Sequence, residues 1–191
     1  MRFFSSLLYL CLLVVVPGFL PANACDTPAP DNPLAASASS AKANTTASGM
    51  LQLEIRSAEL VNEAMIAAGN QPAWLANTYV VKQVVPTDTH YQMVVSEAQA
   101  QALARSESWF GNWATSDAVT SQAYARNNLS ILPEFKPDVS YVICVKTTAP
   151  QILNSGLTGA LGKAAGGGAQ VEFLGKKNLQ AVGQARRLPV K

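Results

Sequence analysis

GGGAQVEFLG, residues 166–175, is the stretch on which the fold turns. Three glycines run into Gln170-Val171-Glu172-Phe173, which alternates polar, apolar, polar, apolar. Successive side chains of a β-strand point to opposite faces, so this is strand period. It sends Val171 and Phe173 toward a core. It leaves Gln170 and Glu172 side by side on the other face, which is either a solvated edge or the floor of a cleft.

The residues before the glycines predict more strands and helices. Leu51, Leu53 and Ile55 alternate with Gln52, Glu54 and Arg56, a strand with Arg56 on its polar face. Ser57 is placed to cap a helix whose stripe is Leu60, Val61, Ala64, Met65 and Ala68, ended by Gly69. One continuous helix over residues 50–68 is the alternative that the residue types permit. Residues 78–85 read as a strand stopped by Pro86, 90–95 as another, and 96–106 as a helix capped by Ser96. SWFGNWATS, residues 108–116, reads as a loop or short strand with Trp109 and Trp113 in the core; residues 117–127 read as a helix. Residues 140–145 give the clearest strand, 146–162 a Thr/Ala/Gly-rich connection, and 171–174 the strand first quoted. Interleaved strands and helices with few clean βαβ units make this an α+β fold.

Ahead of that domain, residues 1–24 combine Arg2, the apolar run LLYLCLLVVV, a Pro-Gly break and Ala22-Asn23-Ala24. That is the pattern of a secretory signal, too short for a transmembrane helix. Cys25 follows the expected cut, and a lipid anchor on its thiol is the alternative to plain secretion. Residues 25–49 are rich in Ala, Ser, Pro and Thr and read as a disordered leader or tether. Residues 50–191 form one domain long enough for its own core.

The chemistry classes narrow quickly. Net charge is +2, so the overall field implies neither nucleic acid nor an anionic membrane. His90 is the single histidine and does not cluster with cysteines, so no metal site and no Ser-His-Asp triad are expected. Cys144, inside the apolar YVICV, reads as a buried free thiol. The basic segment KKNLQAVGQARRLPVK at the end of the chain reads as a solvated surface. The polar residues that stand out on strands or strand ends are Arg56, Thr115, Ser116, Gln170 and Glu172, in that order along the chain.

That order resembles the catalytic A subunits of cholera- and pertussis-like ADP-ribosyltransferase toxins. The family has a strand ending in Arg (LEIRS, Arg56), a Ser-Thr-Ser strand (Ala114-Thr115-Ser116 in NWATS), and Glu-x-Glu or Gln-x-Glu on a later strand (Gln170-Val171-Glu172). SYVICVKTTAPQIL is similar to the family's strand before the Glu, and the resemblance spans residues 51–188. It implies an ADP-ribosyltransferase-like mixed β core with flanking helices. It also implies an exported toxin or effector that cleaves the nicotinamide–ribose bond of NAD, as a transferase or a glycohydrolase. Glu172 would stabilise the oxocarbenium-like ribose. Arg56 would grip the diphosphate, with Lys82 as the alternative cation. Thr115 and Ser116 would orient the carboxylate and line the nicotinamide pocket. Gln170 would face the nucleophile, and Gln there leans toward acceptors other than arginine. The implied partners are NAD, a protein or other acceptor in a target cell, and a delivery subunit. Ala114 departs from the family's Ser, and the expectation is a hydroxyl lost beside Glu172. Two alternatives to the enzyme are a catalytically inactive module of the same fold and a tethered lipoprotein of unrelated fold.

Overall fold

The computed structural model describes residues 53–107 and 110–191. The signal segment, the leader with Cys25, the residues that open the first expected strand, and Trp109 lie outside them.

The described residues form eight strands and three helices in two sheets. The larger sheet has the order β1 (Glu54–Ser57), β2 (Tyr79–Val85), β6 (Gln151–Leu157), β7 (Ala169–Phe173), β4 (Trp113–Ala114). The smaller has β3 (His90–Val95), β5 (Tyr141–Thr147), β8 (Leu179–Arg187). The fold is α+β, as its residues predict. Every strand pair in these sheets is antiparallel, where a mixed β core was expected. Of the consecutive strands only β1–β2 and β6–β7 pair, joined through residues 58–78 and 158–168, and the other neighbours in each sheet are distant in sequence.

The alternation in β7 decides how the sheets pack. Ala169, Val171 and Phe173 are buried, and Gln170 and Glu172 are half-buried on the opposite face. Val171 and Phe173 join Val85 and Leu153 of their own sheet and Tyr91, Met93, Val95, Ile143 and Val145 of the smaller one in a single core. Tyr91 meets Phe173 edge-on with ring centroids 5.5 Å apart. The two sheets thus pack face to face, and β4 joins them at one edge through an antiparallel bridge between Thr115 and Gln92 of β3.

The helices form where the capping residues stand. Helix α1 (Ala58–Ala67) starts on Ser57, whose side chain accepts from the Leu60 N–H, and the chain turns out of it at Gly69 with φ 77°. So the strand-then-helix reading of residues 53–68 holds. Helix α2 (Glu97–Ala104) carries a capping box between Ser96 and Gln99. Helix α3 (Gln122–Asn127) is shorter than the expected 117–127, because Ser121 caps it and Asp117 is engaged elsewhere.

Two expectations are corrected. Residues 146–162 are not a connection but contain β6, a central strand. Its Gln151, Asn154 and Ser155 break the apolar run, yet all three are buried. The Gln151 amide donates to Leu174 O and accepts from Asn178 N–H, and Ser155 Oγ accepts from Gln83, so these two polar side chains are satisfied inside the sheet. The basic end of the chain is solvated, as expected: it contains β8, an edge strand with its cations outward, a common guard against edge pairing. Cys144 is disulfide-bonded rather than free. The chain's other cysteines, Cys11 and Cys25, lie outside the described residues. Cys144→Ala, or a reductant, is expected to lower stability by about 2–4 kcal/mol. Equal melting temperatures with and without reductant would contradict a structural role for the bond.

Candidate active site

The outward faces of β7, β4 and β3 meet where the sheets join, and there a cleft of about 600 Å³ opens. Its floor is Gln170, Glu172, Trp113, Thr115 and Gln92. One wall is the segment after α1, Asn70 to Ala73; another is the loop after α3, with Ser130, Ile131, Phe135 and Lys136; Thr158 and Gly159 close the end. Trp113 remains 38% exposed beside Glu172.

The glycine run explains how this floor is reached. Gly166 has φ 72°, and a Cβ on it would lie 2.5 Å from Thr158 O. Only glycine lets the chain pass between residues 127–128 and 158–159, where the Gly166 N–H donates to Asn127 O and the Gly167 N–H to Thr158 O. Asp117 then fixes the strand start. Its carboxylate accepts from the Ala169 N–H at 2.6 Å and from the Tyr124 hydroxyl at 2.6 Å. Burial, first, and this bond to Asp117 push the Tyr124 phenol far above its ordinary pKa.

Register fixes what Glu172 meets. Glu54, Lys82, Asn154, Glu172 and Trp113 are successive cross-strand partners, a row over one face of the larger sheet. Asn154 donates from Nδ2 to Glu172 Oε2 at 2.9 Å. Asn154 Oδ1 is buried without a hydrogen bond. An unsatisfied buried acceptor costs about 1–3 kcal/mol, a cost consistent with a residue kept for its hold on Glu172. Gln170 accepts from Thr158 Oγ1 at 3.3 Å and donates to Ala73 O at 3.4 Å.

Of the residues singled out in the sequence, Gln170, Glu172 and Thr115 line this cleft; Arg56, Lys82 and Ser116 do not. Arg56 is on β1, three strand spacings from β7, or about 14 Å at the usual inter-strand distance. There it pairs with Glu54 at 3.4 Å, as does Lys82 at 3.7 Å. Between Lys82 and Glu172 the register places Asn154, and Trp74 packs on Gly156 of the same strand. Ser116 is half-buried past the end of β4. Thr115 touches β7, but not as expected. Its Oγ1 donates to Ala169 O at 2.6 Å and accepts from Asp117 N–H at 2.9 Å, so it clamps the strand rather than the carboxylate. Ala114 lies in the core on the opposite face from Glu172, so a hydroxyl there would point away from the carboxylate. The lost-hydroxyl expectation fails on this alternation, and Asn154 does the orienting instead.

The loop after α3 is held by side chains rather than by regular structure. Arg126 donates from Nη1 to Ile131 O and Lys136 O, both at 2.7 Å, and from Nη2 to Pro137 O at 2.6 Å. Asp138 then ties the loop to α2, accepting from Glu97 N–H at 2.7 Å and from Ser140 N–H at 2.8 Å. Burial pushes the Asp138 carboxyl up, but the Ser140 and Glu97 hydrogen bonds and the Lys136 ammonium outweigh it and hold it below the usual carboxylate range. Its contribution is therefore complete above the unfolded pKa of about 3.9 and is lost as pH falls through the lower folded value. The melting-temperature gap between wild type and Asp138→Asn is expected to be full at neutral pH and to close in acid. A constant gap would contradict this.

Among the described residues no cluster of His, Cys, Asp or Glu could hold a metal ion, and no helix is long and apolar enough to cross a membrane. No protein-family profile and no curated protein matches the chain. Among solved structures, a chain of the complex of Tne2 with Tni2 is 50% identical to it with a TM-score of 0.61. That match covers 62% of this chain and 100% of the other.

Proposed function

The chain belongs to the same family as the matched chain of the Tne2–Tni2 complex, and from that premise and its cleft we propose an exported enzyme that cleaves the nicotinamide–ribose bond of NAD on an ADP-ribosyltransferase-like fold. The observation that carries this reading is Glu172 on the cleft floor, fixed by Asn154, beside Gln170 and the exposed ring of Trp113.

The chemistry follows from those groups. The bond from the ribose C1′ to the nicotinamide nitrogen breaks, its electron pair leaves with the ring, and positive charge grows on the ribose. The Glu172 carboxylate stabilises that charge more than it stabilises bound NAD, which is what lowers a barrier. Trp113 offers a face for the departing ring. Gln170 lies on the side from which water or an acceptor attacks C1′. A cleft of about 600 Å³ is in the size range of small-molecule and cofactor sites. The matched complex contains a protein partner, which supports a protein partner for this chain as well.

The test is product analysis of NAD incubated with the purified chain. Nicotinamide with free ADP-ribose means hydrolysis; nicotinamide without it means transfer. A folded chain that releases no nicotinamide would overturn the enzyme reading. The inactive-module reading is favoured by Arg56 and Ser116 lying outside the cleft, and NAD binding without turnover would establish it.

A further inference from the structure

The cations at the far edge of the larger sheet leave the cleft's anion-binding group unassigned. Lys136 is the one Lys or Arg among the described residues that line the cleft, and Glu172 the one carboxylate. Lys136 stands on the wall above β3, where its Nζ donates to Val94 O at 2.8 Å. From the Thr115–Gln92 bridge, an antiparallel register brings Val94 level with Trp113, the cross-strand partner of Glu172. Two strand spacings then separate the Val94 and Glu172 backbones, about 10 Å. A dinucleotide carries its diphosphate one ribose away from the glycosidic carbon, so an ammonium at one end and a carboxylate at the other suit its charge pattern.

The setting is built rather than incidental. Arg126 clasps three carbonyls of the loop, including that of Lys136, and Ser130 Oγ ties the same loop to Gly159 O at 2.7 Å. Burial, partly offset by Asp138, pushes the ammonium below the usual lysine range, so a bound anion would regain charge stabilisation there. Next to it Phe135 is 58% exposed and also lines the cleft, an aromatic side chain with much of its surface open.

We propose that Lys136 binds the diphosphate and Phe135 stacks the adenine of a dinucleotide whose nicotinamide ribose lies at Glu172. This rests on the NAD reading, and the experiment separates the two. ADP-ribose, which keeps the diphosphate and adenine, is titrated by calorimetry into the purified chain, Lys136→Met, Lys136→Arg and Phe135→Ala, alongside nicotinamide release from NAD by wild type. Lys136→Met is expected to weaken ADP-ribose binding about ten- to hundredfold, with Lys136→Arg retaining most of it. In turnover the loss is expected in KM rather than kcat. Phe135→Ala, an exposed truncation that folding tolerates, is expected to weaken ADP-ribose at least about fivefold and nicotinamide mononucleotide, which lacks adenine, hardly at all. Unchanged ADP-ribose affinity in folded Lys136→Met overturns this assignment and leaves the NAD reading standing if wild type releases nicotinamide. If Lys136→Met does not fold, equal ADP-ribose affinity in Phe135→Ala and wild type overturns it instead. A wild-type chain that neither binds ADP-ribose nor releases nicotinamide overturns both.

Discussion

Glu172→Gln is expected to slow nicotinamide release about 100- to 1000-fold while leaving NAD affinity and the melting temperature close to wild type. The magnitude is that of removing one group aimed at charge that develops in a transition state. The substitution keeps the shape and keeps an oxygen for the Asn154 Nδ2 donor that sits 2.9 Å away. It removes only the negative charge, which bound NAD needs less than the oxocarbenium-like ribose does. Glu172 is half-buried and outside the hydrophobic cores, so little folding energy rides on it. Parallel loss of activity and stability would mean that the carboxylate is structural.

Trp74→Ala is expected to cost about 3–5 kcal/mol, the usual range for emptying a buried aromatic site. Trp74 is 2% exposed and packs with Ala58, Val61 and Val80, covering the sheet face that α1 also covers. Its ring lies on Gly156, where a Cβ would come within 3.0 Å of it, and its centroid is 5.7 Å from that of Trp113. The backbone beneath it is fixed by Asn62, which accepts from the Ala73 and Trp74 N–H groups and donates to Trp74 O. Removing the ring therefore loosens the wall that carries Ala73, to which Gln170 donates. Urea unfolding reads the stability loss, and NAD affinity should fall with it. A loss below about 1 kcal/mol, the usual size of a surface change or less, would contradict the packing described.

Much of this was legible in the chain. The alternation of Gln170 to Phe173 gave the correct faces, because one face of β7 is core and period two records that directly. Ser57 and Ser96 marked both longer helices, because an unsatisfied helix start selects such residues locally. What was hidden depends on partners distant in sequence. Strand β6 was missed because Gln151, Asn154 and Ser155 look like a loop until β2 and β7 supply their hydrogen bonds. Asn154 became visible as the partner of Glu172 only through the pairing of β6 with β7. Lys136 reached the site through a contact with Val94, 42 positions away. Arg56 was misplaced for the same reason in reverse. A strand-ending Arg signals a site only if its strand adjoins the Glu strand, and here β2 and β6 intervene.

A crystal structure of the Glu172→Gln chain with NAD would show directly whether residue 172 holds the reacting ribose. Intact NAD is expected in the cleft where the sheets join, its nicotinamide ribose against residue 172 and its nicotinamide beside Trp113. A cleft left empty at saturating NAD, or a nucleotide held with its nicotinamide ribose away from residue 172, would contradict it.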